Sequence, residues 1–336
     1  MPRVPTGFWF HFLDNDVISS GLEDPSLIEK NLDGHRKMAE TYRPDFVKMM
    51  TDGLFYRPSS TYPSLRNAHD LAYVKSLEKD HVFFDACIAH AKKVRAIFGD
   101  DVLIFYNIPS PLHHLLKEMT GTSSMKTFPA VIRDDPEAFA IARDALLKDM
   151  LHLTERVLTE GVMDGIYFSL HDDDAFTREQ YEAYIMPSEL AILNKANAIQ
   201  PIHIAHICGF HGRVNHFDFY RDYPATAFNW SLHTTEMTLK EGKDFFTKAK
   251  SVIGGFDQMP GSLIHRGTKD EVQAFVFDLL DKNGTEGILL GADCTLPPDT
   301  PLEHLVWAQE ACEHYAKKIR QAPKEEGIKE HDDAKI

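Results

Sequence analysis

Eight short, mostly apolar runs rich in β-branched and aromatic residues alternate along the 336-residue chain with longer helical patterns, and this alternation constrains the fold most. The runs are Thr6–Phe12, Phe46–Thr51, Val102–Ile108, Gly165–Leu170, Ile202–Ile207, Ala225–Ser231, Ser251–Phe256 and Gly287–Gly291. Strands that are apolar nearly throughout suit a parallel sheet covered by helices, which buries both of its faces. The helical stretches carry their own punctuation. One from Glu137 repeats apolar residues at three and four and closes on Gly161; Thr177 with Glu179 and Gln180 marks another start. A third runs from Lys269 to Gly284, and the last, from Thr300 to Arg320, sets Leu302, Leu305, Val306, Ala308, Ala311 and Tyr315 on one face. Eight strands separated by helices predict a single-domain α/β fold, the (β/α)8 TIM barrel, over residues 1–320, with a polar tail over 321–336. The rival is an open doubly wound sheet, which would show a glycine-rich phosphate turn after its first strand. Here that strand runs into His11-Phe12-Leu13-Asp14-Asn15-Asp16, with no glycine after it until Gly21. The stretch from Tyr56 to His81 is expected to be an elaborated loop over the barrel mouth.

Charge and cysteine content narrow the function classes. Acidic residues number 51 against 36 basic, a formal charge of −15. Such a surface repels phosphate backbones and anionic membranes, so neither nucleic acid nor membrane is an expected partner. No eighteen apolar residues run together, and the N-terminus reaches carboxylates before any stretch long enough for a signal peptide. Four cysteines (Cys87, Cys208, Cys294 and Cys312) are too few for a disulfide framework. The expected compartment is the cytoplasm, with the cysteines as free thiols or metal ligands.

In a barrel of this kind function sits at the carboxyl ends of the strands. Polar residues fall there in turn: His11, Asp14 and Asp16; Asp52; Asn107; His171 and Asp172 to Asp174; His206 and Cys208; Asn229 and His233; Asp257 and Gln258; Asp293 and Cys294. His206 and Cys208 stand two apart on one strand, so their side chains face the same side. With Cys294 from the eighth strand they make a soft three-ligand set that suits Zn2+ and leaves a fourth position open, as catalytic zinc requires. A strand-end cysteine can equally be a small buried hydrophobe. His203 reads as a packing residue, His113 and His114 as surface or packing residues, and Cys87 and Cys312 as inert thiols in helices.

The stretch Gly254–Leu305 resembles the C-terminal signature of the uroporphyrinogen-decarboxylase superfamily. The likeness is carried by Gly254 to Asp257, by Leu263 with Gly267-Thr268, by Gly287 to Leu290 and by Pro298 to Glu303, with His304 where the family often has Asn. Weaker likeness runs through YRPDFVKMMTD and GIYFSLHDDDAFTREQYEAYIMP. The resemblance implies the same eight-stranded barrel. Its decarboxylases carry arginines in an N-terminal motif that bind porphyrinogen carboxylates; the matching segment here, Trp9 to Asp14, has none. They also have a histidine where Cys294 stands. In the methylcobamide:thiol methyltransferase branch, of coenzyme M type, His-x-Cys on one strand and a Cys before the Pro-x-Thr-Pro loop bind zinc, and His206, Cys208 and Cys294 match that marker. Asp52 matches a catalytic aspartate of the decarboxylases.

That branch implies a zinc-dependent methyltransferase. The zinc activates a thiol as thiolate, and a methyl group moves between a corrinoid and a small acceptor or donor. Expected partners are a corrinoid protein and a small methyl donor, or a thiol or folate acceptor, with a homodimer open beside the monomer. Asp52, His171 and Asp257 are the catalytic candidates. His11, Asn107, Asn229, His233 and Gln258 are the candidates for binding substrate, and His206, Cys208 and Cys294 for binding metal. The alternatives are a porphyrinogen decarboxylase, which needs no metal, and a non-catalytic barrel that binds a tetrapyrrole or scaffolds a partner.

Overall fold

A computed structural model describes residues 3–13, 21–51, 54–55, 57–58, 67–118, 127–171, 173–209 and 215–321. Seven parallel strands follow one another round a single sheet in chain order. They are β1 (Phe46–Met49), β2 (Leu103–Pro109), β3 (Gly165–Leu170), β4 (Ile204–Ile207), β5 (Ala227–Trp230), β6 (Ser251–Phe256) and β7 (Ile288–Ala292). A doubly wound sheet would reverse its order midway; this one does not.

The eighth stave is the N-terminal segment, and it differs from the strand expected over Thr6–Phe12. It touches β7 and its exit through two isolated parallel bridges, Thr6 to Leu290 and Phe10 to Leu296. On its other side Asp45 N donates to Thr6 O at 3.0 Å, and Thr6 N donates to Asp45 Oδ2 at 2.7 Å. The ring therefore closes as a TIM barrel. The ladder breaks because the chain after β7 covers six residues between bridges while the N-terminal segment covers four. Two residues bulge out of register after Ala292, at the position of Asp293 and Cys294.

Helices cover the outside; the predicted start at Thr177 and end at Gly284 hold, whereas the helix Pro136–Thr159 is capped by Glu160, one residue before the expected Gly161. Thr177 and Thr268 each close a capping box, with Gln180 and Glu271 respectively. The helix Lys269–Asn283 ends on Gly284 at φ 76°, a conformation glycine adopts without strain. Between β4 and β5 the described residues hold only the short 3-10 turn Phe217–Phe219. Two apolar layers result. One lies between the strands and the helices. The other fills the barrel, where Trp9, Phe46, Phe105, Tyr167, Ile204, Ala227 and Ile253 form a plug.

The described part of Tyr56–His81 packs on the outer layer instead of over the mouth. Leu77 N donates to both oxygens of Asp149 (3.0 and 3.1 Å), and Arg57 pairs with that carboxylate at 2.6 Å. Both partners are buried, and a buried charge is held where its partner is. The polar tail lies beyond Gln321, outside the described residues.

Candidate metal centre

Alternation along the strands sets the floor of the site. Ile204 belongs to the plug, whereas Ala205 and Ile207 belong to the outer layer. His206 and Cys208 therefore share the inward side with Ile204, nearer the carboxyl end. Cys294 breaks this rule. Leu289 packs with the plug and Leu290 and Ala292 with the outer layer, so plain parity would turn Cys294 outward. The bulge after Ala292 re-aims it, the common use of bulges beside active sites. Its Sγ lies 3.5 Å from His206 Nε2, and the ligand atoms of His206, Cys208 and Cys294 all lie within 4.8 Å of one another. All three residues are buried.

Asn229 fixes the orientation of the imidazole. Its Nδ2 donates to Ile253 O (3.0 Å) and Ala292 O (3.1 Å), which leaves Oδ1 as acceptor. That oxygen accepts from Tyr167 OH at 3.1 Å and from His206 Nδ1 at 2.6 Å. The proton is thereby assigned to Nδ1, and the lone pair of Nε2 faces the two sulfurs. Tetrahedral zinc, with Zn–S about 2.3 Å and Zn–N about 2.0 Å, has ligand-to-ligand edges of roughly 3.5–3.8 Å. The Cys294 sulfur and the His206 nitrogen stand at such an edge, 3.5 Å, and with the second sulfur within 4.8 Å of both they form a donor set that fits zinc. A hydrogen bond from the Cys208 thiol, with the nearby ammonium of Lys48, holds the Cys294 thiol well below its ordinary range despite burial. In Cys87 and Cys312 burial is the largest influence and pushes each thiol up to about 12.

The other predicted residues take varied places. Asp52, Asp14, Asp16 and Asp172 lie outside the described residues. His11 shares the inward side of its segment with Trp9 and is half-buried. Asn107 accepts from Ser169 Oγ at 2.8 Å, and the His171 ring lies 5.1 Å from that of His113. Asn229, expected to bind substrate, is instead fully buried behind His206. Asp257 accepts from Met259 N at 2.9 Å. Gln258 is buried, and its Oε1 makes no hydrogen bond among the described residues. His233 is exposed at the mouth, and its Nδ1 donates to the fully buried Asp293 at 2.9 Å. That bond raises the His233 pKa, with Asp257 adding to it and partial burial opposing it. His203 is a packing residue: its Nδ1 accepts from Ile166 N at 3.1 Å.

The sequence reading passed over Tyr167 and Lys48. Tyr167 sits in an otherwise apolar strand. Lys48 carried a signal, a charge flanked on both sides by apolar residues within a strand, at the same parity as Phe46. A cavity of about 360 Å³ opens elsewhere, on the outer layer beside Leu77 and Phe84. Its acidic groups Asp144, Asp149 and Glu155 are each paired with a cation.

An eight-stave barrel with a buried imidazole and two thiols at its carboxyl-end mouth defines the class, a barrel enzyme with a candidate soft-metal site. The sequence profile of uroporphyrinogen decarboxylase (URO-D) matches residues 49–315, and the chain belongs to that family. No curated protein matches the sequence. Among solved structures the chain is similar to a methyltransferase from Methanosarcina mazei, at 16% identity over 94% of this chain and 95% of that one, with a TM-score of 0.69. It is also similar to a B12-independent methionine synthase from Shewanella sp. W3-18-1 (14%, 95% and 98%, TM-score 0.50). A β-mannanase from the blue mussel Mytilus edulis stands equally near (11%, 91% and 92%, TM-score 0.51). At such identities the likeness is one of fold alone.

Proposed function

We propose that this chain is a zinc-dependent methyltransferase that moves a methyl group between a corrinoid protein and a small acceptor or donor, a thiol first among them. The observation that carries this reading is the buried convergence of one imidazole nitrogen and two sulfurs, from two separate parts of the barrel, within 4.8 Å. Held by His206, Cys208 and Cys294, zinc would supply a Lewis acid that favours the thiolate form of a bound thiol.

The chain's own residues do the rest. Asn229 keeps the Nε2 of His206 toward the metal position. Cys208 and Cys294 supply sulfur, and the plug residues Trp9 and Tyr167 close the floor against water. His11, Asn107, His171, His233, Asp257 and Gln258 are the groups proposed to meet substrate, and Asp52 is proposed as a further pocket residue. Four free thiols suit the reducing cytoplasm.

Porphyrinogen decarboxylation is the second reading, supported by membership of the family. It needs cations for the substrate carboxylates, which the stretch Trp9 to Asp16 lacks, and Arg57 is already committed to Asp149. The test is anaerobic incubation of the zinc-loaded protein with methylcobalamin and a panel of small thiols. Methyl-Co(III) should convert to Co(I), seen in the corrin absorption, in a reaction that needs zinc and Cys294. Steady decarboxylation of uroporphyrinogen that survives zinc removal would establish the second reading instead.

A further inference from the structure

We infer that His233, held by the buried carboxylate of Asp293, is the base that takes the proton of a thiol substrate at the mouth. The inference rests on the thiol reading above and adds where the proton goes. Asp293 is fully buried, and its Oδ2 accepts from Ser231 Oγ at 3.1 Å, from the backbone N of His233 at 2.9 Å and from His233 Nδ1 at 2.9 Å. A backbone N–H can only donate, so Oδ2 is an acceptor and Nδ1 carries the ring proton. The lone pair of the neutral ring is then on Nε2, which makes no hydrogen bond among the described residues, on a side chain 41% exposed. Asp293 Oδ1 is buried without a hydrogen-bond partner, and among the described residues no lysine or arginine pairs with the carboxylate. Its charge is left for the ring.

Two links along the chain set this pair beside the candidate metal centre. Asp293 immediately precedes Cys294, so the bulge after Ala292 delivers both. Ser231 backs onto Gly209, the residue after Cys208: a Cβ on Gly209 would lie 2.6 Å from Ser231 Cβ. A thiol is mostly protonated at neutral pH, and its S–H bond has to break before the sulfur can act as nucleophile. The proton passes to Nε2, where an N–H bond forms, and the electron pair stays on sulfur. The ring becomes imidazolium, and the carboxylate at 2.9 Å from Nδ1 offsets the new charge within the site. The charged groups that face the ring are Asp293 from the end of β7 and Asp257 from the end of β6; both favour the protonated ring, Asp293 most. Asp293 meets no substrate in this scheme and is a positioning residue.

Calorimetry counts the protons. 2-Mercaptoethanol is titrated into zinc-loaded protein above the folded pKa of His233, in two buffers of unlike ionisation enthalpy. The dependence of the heat on the buffer gives the protons released per thiol bound. Wild type should release close to none, because His233 keeps the proton. His233→Asn still offers Asp293 an amide donor but has no base, and should release about one. His233→Gln carries the same expectation should His233→Asn fail to fold. Asp293→Asn keeps the shape and removes the charge, and should also release about one, whereas a merely structural role would leave the count unchanged. The same count in wild type and the His233 variants overturns the inference and leaves the thiol reading standing. A folded, zinc-loaded wild type that binds neither 2-mercaptoethanol nor any of a panel of small thiols overturns the thiol reading, and this inference with it.

Discussion

At the floor of the mouth the amide of Asn229 gives both hydrogens to the carbonyls of Ile253 and Ala292, so its oxygen can only accept, from Tyr167 and His206. A residue of this kind acts through its neighbour. In sequence it reads as one more polar group at a strand end, and nothing in its spacing separates a group that meets substrate from one that orients a ligand. His233 is a plainer case. Its pKa is raised in the fold, chiefly by the hydrogen bond to Asp293. A raised histidine pKa contributes stability that is fully present below the ordinary value and lost as pH rises through the folded one. The melting-temperature gap between wild type and His233→Gln should therefore be widest below the ordinary histidine value of about 6.5 and narrow as pH rises through the raised folded value. The gap should be modest, since the ring is 41% exposed and solvent screens the pair. A gap that is flat with pH, or widens on the alkaline side, would show that the bond to Asp293 does not raise the pKa.

At the scale of elements, strand parity explains what could be read in advance and what could not. Two residues apart on β4, His206 and Cys208 must face one way, so their pairing was legible from spacing. Cys294 was not legible in that way, because parity on β7 turns it outward. Its place at the end of the eighth run and the resemblance pointed to it, and the bulge after Ala292 explains how it arrives. The seam that creates the bulge depends on close backbone approach. A Cβ on Gly291 would lie 2.8 Å from Ile253 Cγ2 and 2.9 Å from Gly7 O. Gly291→Ala should cost ~1–3 kcal/mol in chemical denaturation through overpacking. It should also weaken metal uptake, because the same seam positions Cys294. A variant as stable as the wild type would mean that the N-terminal segment does not close the barrel here. That segment was expected as a regular strand, and the bridges show why it is not one: a bulging partner cannot sustain an unbroken ladder.

For the molecule as a whole, the barrel was legible from the count of eight apolar runs and from the capping residues, because a parallel sheet buried on both faces leaves its mark on every strand. The contents of the mouth were less legible. Lys48 and Tyr167 look like ordinary strand residues until closure of the ring brings β1 and β3 onto His206. Long-range closure also explains why Asp293 emerges as the partner of His233, 60 residues away. The account as a whole stands on the claim that these staves hold one zinc ion between them. Metal analysis of protein purified without chelator measures this directly. About one zinc per chain is expected, with Cys208→Ser and Cys294→Ser each losing most of it, since a serine oxygen is a far poorer ligand. Asn229→Leu should retain zinc but hold it roughly 10–100-fold more weakly against a competing chelator. Wild-type protein that folds and binds no zinc, or full retention in both serine variants, would contradict the account.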